Sequence, residues 1–253
     1  ILALREMGAD VEYLVPDRFK YGYGLTPAIA DLAFVTYTPD MLITVDNGIS
    51  SHAGVEQAQA HGMQVIITDH HLTTKATPQA EAVVNPNQLG CEFPSKALAG
   101  VGVAFYVLAN LASYRKKYGK SSANLSQYLD LVALGTYADV ASLDLNNRIL
   151  IDAGLKRIQQ GLCRPGISAL LDIAGRDPAS LKAQDLGFVI GPRLNAAGRM
   201  ETMDIGIECL IAADLSTAYP LAQQLNQLNV ERRQVEGQIK QEALAELEHI
   251  QLD

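Results

Sequence analysis

The stretches Met41–Gly48 (MLITVDNG) and Val65–His71 (VIITDHH) decide the fold that this 253-residue sequence predicts. In each, a short apolar run rich in β-branched residues is typical of a buried strand, and polar residues follow it at once. Val11–Val15 (VEYLV) and Ala82–Val84 are two further strand candidates, with helical patterns between the runs. This alternation predicts an α/β fold in which a parallel sheet is flanked by helices.

The second half of the sequence changes to helical periodicity. Phe188–Ile190 predicts one short strand, which leads into a loop at Gly191. From about Leu215 the apolar residues keep a helical spacing without a Pro after Pro220, which predicts a long terminal helix. We therefore expect a core domain over residues 1–214, followed by a connector helix over residues 215–253. Other helices are predicted over Leu98–Tyr118, Leu125–Leu134, Asn147–Gln160 and Gly166–Ala174.

The composition excludes several classes of protein. The 20 Lys and Arg residues against 28 Asp and Glu residues give a net charge of −8, which argues against coating nucleic acid through charge alone. With 48% hydrophobic and 19% charged residues the chain is not disordered, and no apolar stretch is long enough for a membrane span. Cys91, Cys163 and Cys209 form no CxxC pair, which argues against a disulfide framework or zinc site and predicts a cytoplasmic location.

Polar residues that follow the two best strand candidates form the first candidate site. Asp46 comes directly after one strand, and Asp69, His70 and His71 come after the next. Ligands of open parallel sheets bind beyond the carboxyl ends of the strands, so these side chains would converge if the strands are neighbours. Carboxylate and imidazole donors suit a divalent metal such as manganese. The alternative is structural, with Asp46 in an Asp-Asn-Gly turn and the histidines capping a helix.

Asp139 is the second candidate, because it interrupts the apolar end of a predicted helix in Gly135–Val140 (GTYADV). Burying a lone carboxylate is unfavourable, so a carboxylate there needs a partner. The alternative is an N-cap or a surface charge.

A third candidate lies in Gly191–Arg199 (GPRLNAAGR), which we expect to be a glycine-punctuated loop. Its residues Arg193, Asn195 and Arg199 would bind phosphate oxygens, since guanidinium groups match that geometry. The alternative is a solvated loop that only turns a corner. By contrast, Gly100–Phe105 (GVGVAF) follows no strand and lacks the third glycine of a dinucleotide fingerprint, so it predicts close helix packing.

Five segments in this order resemble the DHH phosphoesterase superfamily and, within it, the RecJ family of bacterial single-strand-specific DNA exonucleases. The resemblance covers essentially the whole chain. The DHH triplet marks the superfamily, and the GVGVAF and GPRLNAAGR motifs point to the RecJ family. The segments are ITVDNGISSHAGVE (Ile43–Glu56), VIITDHH (Val65–His71), NPNQLGCEFPSKALAGVGVAFYVL (Asn85–Leu108), DLVALGTYADV (Asp130–Val140) and GPRLNAAGRM (Gly191–Met200).

The resemblance implies a two-metal hydrolase that uses Mn²⁺, with Mg²⁺ as the alternative. In that reading His71 meets the scissile phosphate and Asp69 orients the site. It implies metal ligands at Asp46, His70 and Asp139, and contacts to the DNA backbone from Arg193, Asn195 and Arg199.

The implied activity is 5′ to 3′ hydrolysis of single-stranded DNA in DNA repair and recombination, beside partners such as a single-strand-binding protein or a helicase and away from membranes. Two alternatives stay open: a DHH phosphodiesterase for oligonucleotides or cyclic dinucleotides, and a non-catalytic scaffold in a replication or repair complex. The family's first metal motif, Asp-x-Asp, would precede Ile1, and a second DHH-associated domain would follow Asp253. We therefore expect the 253 residues alone to be inactive or weakly active.

Overall fold

Three strands form one parallel sheet, as the sequence predicts. In the computed structural model they are β1 (Met41–Val45), β2 (Gln64–Thr68) and β3 (Ala82–Val84), in the order β1–β2–β3. Met41 pairs with Gln64 and Val45 with Thr68, so β1 and β2 end level with each other. The predicted parallel sheet flanked by helices is confirmed.

The structure describes residues 1–73, 76–200 and 203–249, without the side chains of residues 18, 19, 199, 200 and 245–249. The chain divides into two units, Ile1–Leu162 and Cys163–Asp253. Among the helices so described, none is both long and apolar enough to cross a membrane. The predicted division at residue 214 stays a prediction.

In the first unit, helices pack against the sheet. Thr26 caps α3 by accepting a hydrogen bond from the Ile29 N–H, and Pro27 begins the helix. Buried apolar residues of α3, α4 and β2, such as Ile29, Val55 and Ile67, share one core. The helices of this unit are α1 (Leu2–Glu6), α2 (Arg18–Tyr21), α3 (Pro27–Tyr37), α4 (His52–Ala60), α5 (Gly100–Lys117), α6 (Leu129–Ala138) and α7 (Leu145–Gln159), with a 3₁₀ turn at Leu125–Tyr128.

The second unit is helical, and its longest element confirms the predicted terminal helix. That helix packs against three shorter ones around fully buried residues such as Ile167, Leu170 and Leu225. The helices of the second unit are α8 (Pro165–Ile173), α9 (Ala183–Asp185), α10 (Gly191–Met200), α11 (Asp204–Ile211) and the terminal helix α12 (Leu215–His249), with a 3₁₀ turn at Pro178–Ser180 and a π-helical turn at Leu186–Ile190.

Two predicted strands are absent from the described structure. Val11–Val15 pairs with no strand, because side chains satisfy its carbonyls: Arg5 donates to the Val11 carbonyl and the Tyr37 hydroxyl to the Tyr13 carbonyl. Phe188–Ile190 lies in the π-helical turn instead, since Leu186, Val189 and Ile190 are buried at helical spacing.

The predicted loop at Gly191–Arg199 is also wrong, because α10 covers it. Ile190, Leu194 and Ala197 are all buried, and their spacing of i, i+4 and i+7 puts them on one helix face. Pro192 fits the first turn of a helix, where the missing N–H is not needed. Gly191 and Gly198 therefore favour the prediction of a loop, although the spacing of the apolar residues between them is helical.

Candidate metal centre

The carboxyl ends of the three strands carry the candidate site. Beyond the last strand pairs, the Asp46 N–H donates to the Thr68 carbonyl at 3.0 Å and the Asp69 N–H donates to the Val84 carbonyl at 3.1 Å. The parallel register therefore brings the residues after β1 and β2 to one edge of the sheet. This is the convergence that the sequence predicts if the two strands are neighbours.

One imidazole nitrogen lies between two carboxylates. His70 Nε2 is 3.0 Å from Asp46 Oδ1 and 3.8 Å from Asp139 Oδ2. The nitrogen is buried, yet it has no hydrogen-bond partner among the described residues, because neither approach has hydrogen-bond geometry. Two carboxylates that flank one unsatisfied nitrogen form an arrangement that a bound cation would stabilise.

The backbone at Asp46 is held in an unusual conformation. Asp46 has φ +64°, in the left-handed region, and Gly48 follows with φ +110°. Below them, the Thr44 hydroxyl donates to the Asn47 carbonyl at 2.7 Å, and a β-carbon at Gly48 would lie 2.6 Å from that hydroxyl oxygen. The Asp-Asn-Gly turn of the structural alternative is therefore present. It also aims the Asp46 carboxylate at His70, and strained backbone of this kind is typical of functional sites.

Asp139 ends α6 and has a charge that the helix itself does not favour. Its N–H donates to the Gly135 carbonyl, and Val140 turns the chain away with φ +56°. A carboxylate at the carboxyl end of a helix faces the negative end of the helix dipole. Asp139 therefore caps no helix N-terminus and is exposed, as the surface-charge alternative expects, and a cation beside His70 would offset the unfavourable dipole.

Asp69 is buried, with 1% of its surface exposed, and it organises the loop that follows β2. Its Oδ2 accepts the Ile49 N–H at 2.9 Å, and its Oδ1 accepts the N–H groups of His70 and His71 and lies 2.7 Å from His71 Nδ1. Burial acts to raise the pKa of Asp69, but these hydrogen bonds outweigh burial and lower it. Asp69 thus stays ionised and orients the His71 ring.

The close approach of these carboxylates and imidazole rings shifts pKa values at the site. Burial raises the pKa of Asp46, with the Asp139 charge acting in the same direction and the His70 ring opposing it. The hydrogen bond to Asp69 raises the pKa of His71, and the carboxylates of Asp46 and Asp139 add to that effect. The site concentrates negative charge that a divalent cation would neutralise.

The first turn of α5 packs directly against the site. A β-carbon at Gly100 would lie 2.3 Å from Asp46 Oδ1, and at Gly102 it would lie 2.9 Å from a Leu98 methyl group. The predicted close packing at GVGVAF is thus present. The sequence contains no sign, however, that the partner of Gly100 is the Asp46 carboxylate.

The candidate phosphate-binding residues lie on α10 of the second unit. Arg193 Nη1 donates to the Val189 carbonyl at 2.6 Å and its Nε donates to Asn226 Oδ1 at 3.0 Å. Burial lowers the pKa of Arg193, and the charges of Arg233 and Arg176 lower it further. Asn195 is exposed, and the side chain of Arg199 lies outside the described residues.

The donor atoms of the first unit fit a metal ion. Asp46, His70 and His71 each offer one ligand atom within 4.8 Å of the others, and Asp139 reaches His70 from α6. This mixture of oxygen and nitrogen donors suits Mn²⁺ and also accepts Mg²⁺. None of the three cysteines, all of which are described, forms a disulfide.

Comparisons with known proteins identify relatives of this chain. The single-stranded-DNA-specific exonuclease RecJ of Dickeya dadantii is 53% identical over 251 residues, and that of Escherichia coli is 49% identical over 258 residues. These alignments cover 96% and 99% of this chain but only 43% and 44% of the relatives, so the chain spans less than half the length of either.

Two solved structures share the fold. The crystal structure of an exonuclease RecJ bound to manganese matches 94% of this chain and 58% of its own chain, with 33% identity and a TM-score of 0.82. RecJ of Thermus thermophilus in complex with Mn²⁺ matches 94% of this chain and 33% of its own, with 32% identity and a TM-score of 0.78. The family model described as "DHH family, N-terminal domain" matches residues 1–136, more than half of the sequence. The resemblance to RecJ exonucleases is confirmed, and the chain belongs to the DHH family.

Proposed function

We propose that this chain is the core of a metal-dependent nuclease that hydrolyses phosphodiester bonds of single-stranded DNA. One observation carries the proposal: the buried Nε2 of His70 lies between the carboxylates of Asp46 and Asp139 and has no hydrogen-bond partner in the described part of the chain. The single-strand-specific exonuclease activity in the names of the relatives supplies the substrate class.

In this proposal Asp46, His70 and Asp139 hold Mn²⁺ or Mg²⁺. When bound, a pair of such ions lowers the pKa of a coordinated water and neutralises charge on the phosphate. His71, which projects from the same loop, would contact the scissile phosphate. Asp69 would keep the His71 ring oriented through the 2.7 Å contact to Nδ1.

Arg193, Asn195 and Arg199 would bind the DNA backbone. Their part of the proposal rests on the side-chain chemistry of α10, in which a guanidinium anchored by two hydrogen bonds is preorganised for phosphate oxygens. We further propose 5′ to 3′ polarity, a role in repair and recombination, partners such as a single-strand-binding protein or a helicase, and a cytoplasmic location. For the 253 residues alone we expect little or no activity.

The test compares His70→Ala with wild type in the longest natural form of the protein, with Mn²⁺ present. Loss of one metal ligand should lower hydrolysis of a 5′-labelled single strand by at least about 100-fold. His52→Ala is the matched control, because His52 is an exposed residue of α4, and it should keep wild-type activity. If His70→Ala remains active, the proposal is wrong. Faster hydrolysis of dinucleotides or cyclic dinucleotides than of long strands would favour the other DHH phosphodiesterase activity.

A further inference from the structure

The segment Asn85–Gly100, which we call the support segment, runs from the end of β3 to the first residue of α5. It includes no candidate metal ligand. Even so, its side chains and backbone contact the His70–His71 pair and Asp46. These contacts follow from described hydrogen bonds and close approaches, and together they indicate a function for the segment.

Two asparagines of the support segment bind the backbone of the histidine pair. Asn87 Nδ2 donates to the His70 carbonyl at 2.6 Å, and Asn85 Nδ2 donates to the His71 carbonyl at 2.9 Å. A side-chain amide has the N–H donors that a carbonyl needs, whereas a carboxylate of the same shape has none. The carbonyls of His70 and His71 are thus each held by an asparagine amide from the same turn.

The turn that presents these amides is itself fixed. Asn85 is 1% exposed, and its Oδ1 accepts the Asn87 N–H at 2.8 Å. Lys96 Nζ donates to the carbonyls of Pro86 and Cys91, each at 2.6 Å, which ties both ends of the turn together. The asparagine amides therefore approach the histidines from a rigid support.

The other end of the support segment contacts Asp46 and is linked to the loop that follows Asp139. Gly100 abuts Asp46, as described above. The buried amide of Asn147 donates to the Ala97 carbonyl at 2.7 Å and to the Ser142 carbonyl at 2.8 Å, so it links the start of α5 to the loop that follows Asp139. One continuous segment thereby contacts the His70–His71 backbone and Asp46, and Asn147 links it to the loop after Asp139.

We propose that Asn87, together with Asn85, is a positioning residue for the metal centre, and that it fixes the His70–His71 backbone so that His70 Nε2 stays between the two carboxylates. The inference rests on the proposed function for the identity of the metal. It does not rest on DNA hydrolysis, since it concerns only how the ligands are held. Residues that orient metal ligands in this way typically change metal affinity by about 10- to 100-fold when mutated.

The test uses Asn87→Asp, with Gln88→Glu as a matched control, in the longest natural form of the protein. Both changes replace an amide by a carboxylate of the same shape and add one negative charge to the same turn. Gln88 Nε2, however, donates to the Val83 carbonyl of β3 and not to a histidine. Two readouts are needed: Mn²⁺ affinity by electron paramagnetic resonance titration, and hydrogen exchange of the His70 and His71 amides without metal.

The sign of the effect separates positioning from charge. Added negative charge alone would tighten Mn²⁺ binding in both variants. Positioning predicts that Asn87→Asp weakens Mn²⁺ binding about 10- to 100-fold and speeds exchange of the His70 and His71 amides, while Gln88→Glu does neither. Faster exchange in Asn87→Asp alone supports the proposal even if Mn²⁺ binding is too weak to measure. Unchanged exchange, tighter binding, or equal effects in the two variants would overturn it. None of these readouts depends on nuclease activity, so failure of the proposed function would be recognised separately.

Discussion

Gly100 lies close against Asp46 because glycine has no side chain. A β-carbon on Gly100 would lie 2.3 Å from Asp46 Oδ1 and 2.7 Å from both the β- and γ-carbons of Asp46. Because that space is empty, the first turn of α5 approaches the carboxylate closely, and the positive end of the helix dipole faces a negative group. Gly100 has no ligand atom, but it leaves room for the carboxylate of the candidate ligand Asp46.

Gly100→Ala should therefore weaken the metal centre without weakening the helix. Alanine is the better helix former, but its methyl group would force the Asp46 carboxylate away from His70. We expect Mn²⁺ affinity to fall at least about 10-fold by calorimetric titration, as for other changes that displace a metal ligand.

Gly237→Ala is the control for this change, since Gly237 lies in α12 and a β-carbon there would have open space around it. It should leave Mn²⁺ affinity unchanged. The interpretation fails if Gly100→Ala binds Mn²⁺ as tightly as wild type does.

The sequence was sufficient to predict the features that depend on local pattern. Apolar runs that end in polar residues predicted all three described strands and the edge at which Asp46 and His70 meet. It was insufficient where tertiary contacts decide the outcome. Val11–Val15 has strand composition, but Arg5 and Tyr37 satisfy its carbonyls. Propensity alone cannot show this, because β preference depends on which neighbours are available.

The residues that support the site without being candidate ligands were harder to predict. In the sequence Asn85 and Asn87 are only part of the NPNQLG motif, and only the structure shows that their amides hold the histidine carbonyls. The loop prediction for Gly191–Arg199 is wrong for the opposite reason. Its glycines favour a loop, although the spacing of Leu194 and Ala197 favours a helix. Turn-forming residues mark where a chain can bend, and packing determines whether it does.

Arg193 allows charge and geometry to be separated in DNA binding. Its two described hydrogen bonds use two of the five guanidinium N–H donors and hold the fork in place, which would suit the proposed phosphate contact. Arg193→Lys should weaken binding of an oligothymidylate about 10-fold by fluorescence anisotropy, while the dependence of log Kd on log salt keeps its slope because the charge remains.

Arg193→Ala should weaken binding further and reduce that slope by about 0.7, the value for one phosphate contact on a single strand. Arg232→Lys is the control, because Arg232 pairs with Glu236 on α12. A slope that stays unchanged in Arg193→Ala would show that Arg193 contacts no phosphate.

Cys209 should make stability depend on alkaline pH. Its side chain is fully buried, and burial raises the pKa of the thiol to about 11. Between pH 9 and 11 the unfolded chain loses the thiol proton while the folded chain keeps it, so the free energy of unfolding falls as the pH rises. The loss should reach about 2 to 3 kcal/mol at pH 11, at about 1.4 kcal/mol per unit of pKa.

Urea unfolding of wild type and Cys209→Ala at about pH 8, 9, 10 and 11 measures this contribution. The stability difference between the two proteins should shrink steadily above about pH 9, since alanine has no proton to lose. A constant difference across that range would show that the Cys209 thiol ionises equally in both states.

Gly154 is another position at which the absence of a β-carbon decides packing. It lies in α7 against α6, and a β-carbon there would be 2.1 Å from the Leu129 carbonyl oxygen and 2.5 Å from the Ala133 β-carbon. Helix propensity alone predicts that Gly154→Ala stabilises the chain by about 1 kcal/mol. Overpacking against backbone should outweigh that gain and leave the protein about 1 to 3 kcal/mol less stable in urea unfolding.

Because Asp139 ends α6, the same change should also weaken Mn²⁺ binding. Gly237→Ala, at an open helical position, should show the propensity gain alone, so equal stabilisation by both changes would contradict the close approach of α6 and α7.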